Sequence, residues 1–438
     1  MKKLLSIIAA GALTLSLASC AVNGGNGGNG GNGGNEQRLQ AFARLDLEAA
    51  PLLAPDGTKE YPAIDTAGFA LKLSAALAQE AGDGNFVCSP FSAWLPFAAL
   101  ANGAKPPYKA ELLTVLGAQG ASETDLNEFA ARALYDLTNE QMREWDAEGY
   151  YSPIRIANAI FVGNDVTLKR DFAQKFLDFY RGAAFNVDFD SQEAVDAVNR
   201  WASDNTDGLI TDVIQKFDPQ TVAAIVNAIY FSDRWTQEFN PDNTRQDTFH
   251  APGGDVNADF MFREGGPQTY YEDDRLQALP LSFLSGGELY ILLPKDGDAA
   301  GLLQSLTEDY FREIQRDSIR ATGTLLLPKF EIASGLIELT DVLRTLGIPL
   351  FDEKNAPLTQ GVIEENIPTW VSSAIQKAYI MIDENGATAA AVTAVAIGAT
   401  SMPLLPEEEF EMKCDRPFVF LLTGNSGDLL FTGVVNQP

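Results

Sequence analysis

Apolar positions recur with a helical period in several windows of this chain. Residues 64–81 place Phe69, Leu73, Ala76 and Leu77 on one side, which predicts a helix. A short apolar run, Asn85–Cys88, reads as a strand. It leads into Ser89-Pro90-Phe91-Ser92, a helix start with Ser89 as cap and Pro90 in the first turn. That helix continues from Trp94 to Leu100, and residues 108–117 and 123–140 predict two more. Alternation over Ile154–Val162 predicts a strand, followed by helix at 168–181, extended chain at Ala183–Phe189 and helix at 191–204. The run Thr221–Phe231, TVAAIVNAIYF, is almost continuously apolar and rich in β-branched residues, as in a central strand covered on both faces. Hairpin-like strands follow to about Pro294. Then come a helical segment at 299–316, a strand at 324–333, a helix at 339–346 and a long strand at 369–383. Pro417–Thr423 and Leu429–Val435 close the chain as two apolar strands. The fold class is α+β, with several sheets and no internal repeat.

Directly after the long strand the pattern changes. Asp383 and Glu384 lead through Asn385 and Gly386 into a stretch that carries no charge as far as Pro406. Read with period two, Ala387, Ala389, Ala391, Thr393, Val395 and Ile397 share one face, small at first and larger further along. Small side chains avoid the overpacking cost of ~1–3 kcal/mol, so such a segment could enter a sheet that is already packed. A buried alanine-rich helix or a plain loop would also fit the composition. A transmembrane span fits poorly, because strongly apolar side chains are few and Pro403 and Pro406 follow closely.

The first residues read differently again. Lys2 and Lys3, the apolar Leu4–Leu17 and the quartet Leu17-Ala18-Ser19-Cys20 form a targeting segment. The quartet resembles a bacterial lipobox, so residues 1–19 are expected to be a cleaved lipoprotein signal peptide and Cys20 the lipidated first residue. Residues 23–35, NGGNGGNGGNGGN, suit a structureless tether reaching on the order of 20 Å. Residues 20–35 are thus read as a lipid-anchored Gly/Asn tether and 36–438 as the globular domain. The protein is expected outside the cytoplasm, held by lipid to the bacterial cell envelope or surface. The literal GxGxxG at Gly25, Gly27 and Gly30 has no strand before it and no βαβ unit around it, and carries no meaning.

Hydrophobic residues make up 46% of the chain, enough for a sizeable core. With 31 basic and 60 acidic residues the formal charge is −29, which argues against nucleic acid and heparin-like polymers as partners, since both need clustered Lys and Arg. Three cysteines show no CxxC or Cys/His spacing, so no metal site is expected; Cys88 reads as a buried strand thiol rather than half of a disulfide with Cys414. The lone histidine, His250, lies in TFHAPGG between two strands and reads as a surface residue. GxSxG fails at Asp428 in Gly424-Asn425-Ser426-Gly427-Asp428, and no P-loop or HExxH occurs. Neither enzyme activity nor a cofactor is expected.

Three separated blocks resemble the serpin family and together span most of residues 60–438. They are NFVCSPFSAWLPFAALANGA at 85–104, TVAAIVNAIYFSDRWTQEFNPDNTRQDTF at 221–249, and KAYIMIDENGATAAAVTAV at 377–395 followed by DRPFVFLLT at 415–423. The resemblance implies a serpin fold of three β-sheets with eight or nine helices and a mobile reactive-centre loop, here about 384–406. Residues 221–231 and 369–383 become neighbouring central strands with the loop's entry slot between them. A target protease is acylated on the loop, and the cut loop then inserts as a new strand before deacylation. The implied partners are a serine protease in covalent complex and a membrane through Cys20, with the chain itself a monomer. A non-inhibitory binding protein on the same fold is the alternative, but such relatives carry bulky, charged or proline residues in the hinge.

Residue by residue, Glu384, Gly386, Ala389, Ala390 and Ala391 match the inhibitory hinge, and Ala387 stands where threonine is frequent. Thr388 replaces a common glutamate on the outward face. Ser89, Ser92, Asn227 and Trp235 match residues where the sheet opens. Gln376 occupies the place of a histidine; it bridges by hydrogen bonds but cannot charge. Counting fourteen residues on from Gly386 puts the reactive bond between Thr400 and Ser401, within a bait of Val395–Ser401. Ile397, Gly398, Ala399 and Met402 flank that bond. Ser401–Met402 is the runner-up, and Met402–Pro403 is a poor substrate bond. A small residue before the bond, with no Arg or Lys in the loop, suits a shallow elastase-like pocket. Subtilisin-like and papain-like proteases are the alternatives.

Overall fold

The computed structural model describes residues 42–44, 47–50, 64–138, 154–218, 221–387 and 408–438. Cys20, the tether, Ala389–Ala391 and Ile397–Met402, with the expected Thr400–Ser401 bond, lie outside the described residues. Among the described residues the chain forms nine α-helices. These are α1 (Ala67–Ala81), α2 (Pro90–Leu100), α3 (Tyr108–Val115), α4 (Glu123–Thr138), α5 (Arg170–Tyr180), α6 (Gln192–Asn205), α7 (Ala299–Ser305), α8 (Glu308–Asp317) and α9 (Thr340–Thr345). The strands before the central pair are β1 (Phe42–Arg44), β2 (Phe86–Cys88), β3 (Ile154–Gly163) and β4 (Ala183–Val187). There follow β5 (Ala223–Phe231), β6 (Asp233–Arg234), β7 (Arg245–Ala251), β8 (Gly254–Glu272), β9 (Leu276–Ser282) and β10 (Glu288–Pro294). The last are β11 (Ile319–Pro328), β12 (Phe330–Ala333), β13 (Ile337–Glu338), β14 (Ser373–Ile382), β15 (Gly386–Ala387), β16 (Glu409–Lys413), β17 (Phe418–Thr423) and β18 (Leu429–Val435).

Three sheets result. The central one runs β1-β4-β3-β5-β14, with β12 and β13 on the far side of β14 and the short β15 and β6 at its end. Its two middle strands, β5 and β14, are parallel neighbours in register from Ala224↔Ser373 to Tyr230↔Tyr379. The second sheet runs β8-β9-β10-β17-β18-β2, and the third is β7-β8-β11-β16. The long strand β8 belongs to both, pairing with β7 and β11 along most of its length and with β9 at its end.

The all-buried pattern of β5 follows from its place between two cores. Ile225, Ile229 and Phe231 point into the main core shared with the second sheet. Ala224, Val226 and Ala228 point the other way, into a smaller core under α6. Cys88 and Cys414 are buried free thiols, and burial pushes the Cys88 thiol up to about 11.

Three expectations need correction. The segment 299–316 is two helices, because Thr307 leaves helical geometry and caps α8 by accepting from the Tyr310 amide. The strand expected at 324–333 begins at Ile319 and divides after Pro328, with β11 in the third sheet and β12 in the central one. The long strand starts at Ser373 rather than 369: Val371 donates back to Leu350 before the ladder with β5 is established.

Candidate functional site: the mouth and the middle of a strand pair

Asp383-Glu384-Asn385-Gly386 makes a tight turn because Asp383 organises it. Its Oδ1 accepts from the amides of Asn385 (2.8 Å) and Gly386 (3.2 Å), and its own amide donates to the Gly386 carbonyl (2.9 Å). The chain therefore reverses and runs back antiparallel to β14, with Ala387 opposite Ile382. On its other side the same two residues pair with β6, Gly386 with Arg234 and Ala387 with Asp233. Since β6 continues the line of β5, the two-residue β15 sits between the ends of the two central strands. Ala387 is 0% exposed there. A Cβ on Gly386 would stand 2.0 Å from the Asp233 carbonyl oxygen, so only glycine fits this approach.

Two groups hold the turn. The Trp235 indole donates to the Asp383 carbonyl (2.9 Å), and its amide donates to that of Asn385 (2.9 Å). Its ring stacks on Phe283, with centroids 4.3 Å apart. The buried Glu384 carboxylate accepts from the Thr244 hydroxyl (2.7 Å) and faces the Lys329 ammonium (3.4 Å). Burial pushes the Glu384 pKa up, but the Thr244 hydroxyl, the residue's own amide and Lys329 outweigh it and hold it below the ordinary range.

A second cluster lies midway along the strands. Gln376 of β14 is 0% exposed. Its amide nitrogen donates to Asn227 Oδ1 on β5 (2.6 Å) and to the Ser89 carbonyl (2.9 Å), and its oxygen accepts from the Ser89 amide (2.8 Å). Asn227 donates in turn to the Ser92 hydroxyl and to Asn158 Oδ1 of β3 (2.6 Å). The Ser89 hydroxyl donates to the Leu430 carbonyl of β18 (2.5 Å). This cluster ties β5 to β14, and both to the start of α2.

Ser89, Ser92, Asn227 and Gln376 thus come together as one network. Trp235, grouped with them on sequence, belongs to the mouth instead. Glu384, Gly386 and Ala387, read as hinge residues on sequence, lie in the mouth. Asn158, Thr244 and Lys329 were missed. Asn158 offered a signal, a polar side chain inside an apolar strand; Thr244 and Lys329 offered none. His250 is exposed and pairs with Asp255 (2.8 Å), clear of both clusters.

Comparison with known proteins adds the family context. The model of the family described as Serpin (serine protease inhibitor) matches residues 65–438. Serpin-ZXA of Oryza sativa subsp. japonica is 33% identical over 391 residues, covering 84% of this chain and 96% of the relative. Alpha-1-antiproteinase of Rattus norvegicus is 29% identical, covering 91% and 95%. Among solved structures, the native state of the thermophilic serpin Tengpin superposes with a TM-score of 0.74 at 26% identity, covering 91% of this chain and all of that one.

Proposed function

Because this chain belongs to the serpin family, whose members are in general protease inhibitors, we propose that it is a suicide inhibitor of extracytoplasmic serine proteases with an elastase-like target. It is held to the cell envelope by lipid on Cys20. One observation carries the inhibitory reading: the hinge start, Gly386-Ala387, is seated between β14 and β6 at the mouth of the strand pair. A strand that continues from β14 through a tight turn must run antiparallel to it. It is then also antiparallel to β5, because β5 and β14 are parallel. This topology supports entry of a cut loop between β5 and β14.

The serine hydroxyl of the protease attacks the Thr400 carbonyl carbon. An ester forms to Thr400, the peptide bond breaks, and Ser401 leaves as the new amino terminus. The freed loop enters between β5 and β14. Ala387 shares the core-facing side with Ile382, so period two sends Ala389, Ala391, Thr393, Val395 and Ile397 to the same side. Fourteen residues in extended form span about 46 Å, enough to carry the acylated protease across a domain. Ordering them costs roughly 1–2 kcal/mol each, and the new hydrogen bonds return only ~0.5–1.5 kcal/mol net apiece. Burial of that inward face must then favour insertion, and its small first residues let the segment enter a packed sheet without overpacking.

Pancreatic elastase incubated with the full chain tests this. An SDS-stable complex should form, and mass spectrometry should find the released fragment starting at Ser401. Cleavage without a stable complex overturns the inhibitory reading. Rapid trapping of trypsin with no effect on elastase overturns the target class.

A further inference from the structure

Away from the mouth, a cavity of 670 Å³ opens on the front of the central sheet, between the linker that follows α6 and the start of β14. Its lining is mixed, with apolar side chains on both sides, Val213 and Phe217 from the linker and Leu336 and Trp370 opposite, among polar and charged ones. The linker wall is built in place. Asn199 of α6 accepts the amides of both Val213 (2.7 Å) and Ile214 (2.9 Å) and donates to the Ile214 carbonyl (2.8 Å). The floor is fixed too, since Ser372 accepts from the Val222 amide (3.1 Å) and donates its own amide to the Ala223 carbonyl (2.9 Å).

Four carboxylates line this cavity, on Asp212, Asp218, Glu338 and Glu353, against two ammonium groups, on Lys216 and Lys377. The surplus is negative. Glu338, Glu353 and Lys377 form no ion pair within 4 Å with any described residue, and the Trp370 indole nitrogen has no partner there. Glu338 is held above the ordinary carboxylate range by partial burial and by Asp341, with no cation to offset them. A pocket of this size, with aromatic walls and a few unpaired polar groups, suits a small ligand.

We propose that this cavity binds a small organic cation with an apolar body, an aryl- or alkylamine, its charge on Glu338 and its body between Phe217 and Trp370. Aromatic faces favour cations as neighbours. The location gives the ligand a consequence. Val213, Ile214 and Phe217 pack with Ala224 and Val226 of β5 and with Ile375 of β14. An occupant that joins the linker to β14 opposes the parting of the two strands; this last step rests on the inhibitor reading above.

Phenethylamine and its anionic counterpart 3-phenylpropionate, titrated against the full chain by calorimetry and melting temperature, test the site directly. Phenethylamine should bind saturably at one site, raise the melting temperature by mass action, and bind at least about tenfold tighter than the acid. Glu338→Gln should weaken the amine by about tenfold, whereas Lys377→Met should leave it bound as tightly or tighter. Equal binding of amine and acid, indifference to Glu338→Gln, or no saturable binding by roughly 10 mM overturns the site. If the amine binds but the chain traps no protease, the inhibitor reading fails and the site stands. If protease is trapped at the same rate with and without saturating amine, the link to strand parting is wrong.

Discussion

Gln376→Met asks how much the buried network between β5 and β14 contributes. Methionine has nearly the volume of glutamine, so packing changes cost under ~1.5 kcal/mol. The substitution removes three hydrogen bonds and orphans the Ser89 amide and Asn227 Oδ1, while the Ser89 carbonyl keeps the Ala93 amide (3.1 Å), all at a site with 0% exposure. Each of the two orphaned groups costs about 1–3 kcal/mol, and partial rearrangement brings the expected sum to about 2–4 kcal/mol. The domain of residues 65–438 unfolds with an entropy of about 0.8 kcal/mol/K on per-residue averages, so the midpoint should fall by about 3–5 °C. Since Gln376 bonds Asn227 across the two strands that the proposed insertion would part, the uncut variant should also lose its native form faster on warming. Calorimetry at two scan rates reads both effects. A variant that melts within about 1 °C of the parent, or above it, would refute the assignment of a strand-locking role to these bonds.

Three further outcomes are expected. Gln376→His should make stability depend on pH: a buried imidazole has its pKa depressed, the unfolded chain binds more protons below about pH 6.5, and native stability is lost as pH falls through that value; melting temperatures at pH 8 and 5.5 should diverge from the parent's. Ala389→Arg would place a cation on the face to be buried, at a cost of several kcal/mol, and should turn an inhibitor into a substrate, seen on gels as cleavage without complex. Cys20→Ala should move the protein from the membrane to the soluble fraction, and a variant that sediments with membranes as the parent does would remove lipid as the anchor.

Much of the fold was legible because its causes are local. Ser89-Pro90 announces α2, and the structure shows Ser89 capping it. The unbroken apolar run to Phe231 announces a strand buried on both faces. Asp383-Glu384-Asn385-Gly386 announces a turn, and the structure makes it there. These are effects of propensity and period, acting over a few residues. What they could not give was register. Gln376 meets Ser89 from 287 positions away and Asn227 from 149, and Glu384 finds Thr244 from 140. Nor could a local pattern place Lys329 beside Glu384, or divide 319–333 between two sheets at Pro328. Each of these depends on which strands lie side by side. The sequence by itself determined the elements and the turn, because those energies are local. The strand neighbours, the buried polar network and the seating of Ala387 between β14 and β6 were decided only in the folded protein, where burial makes each unpaired polar group costly and so selects one register.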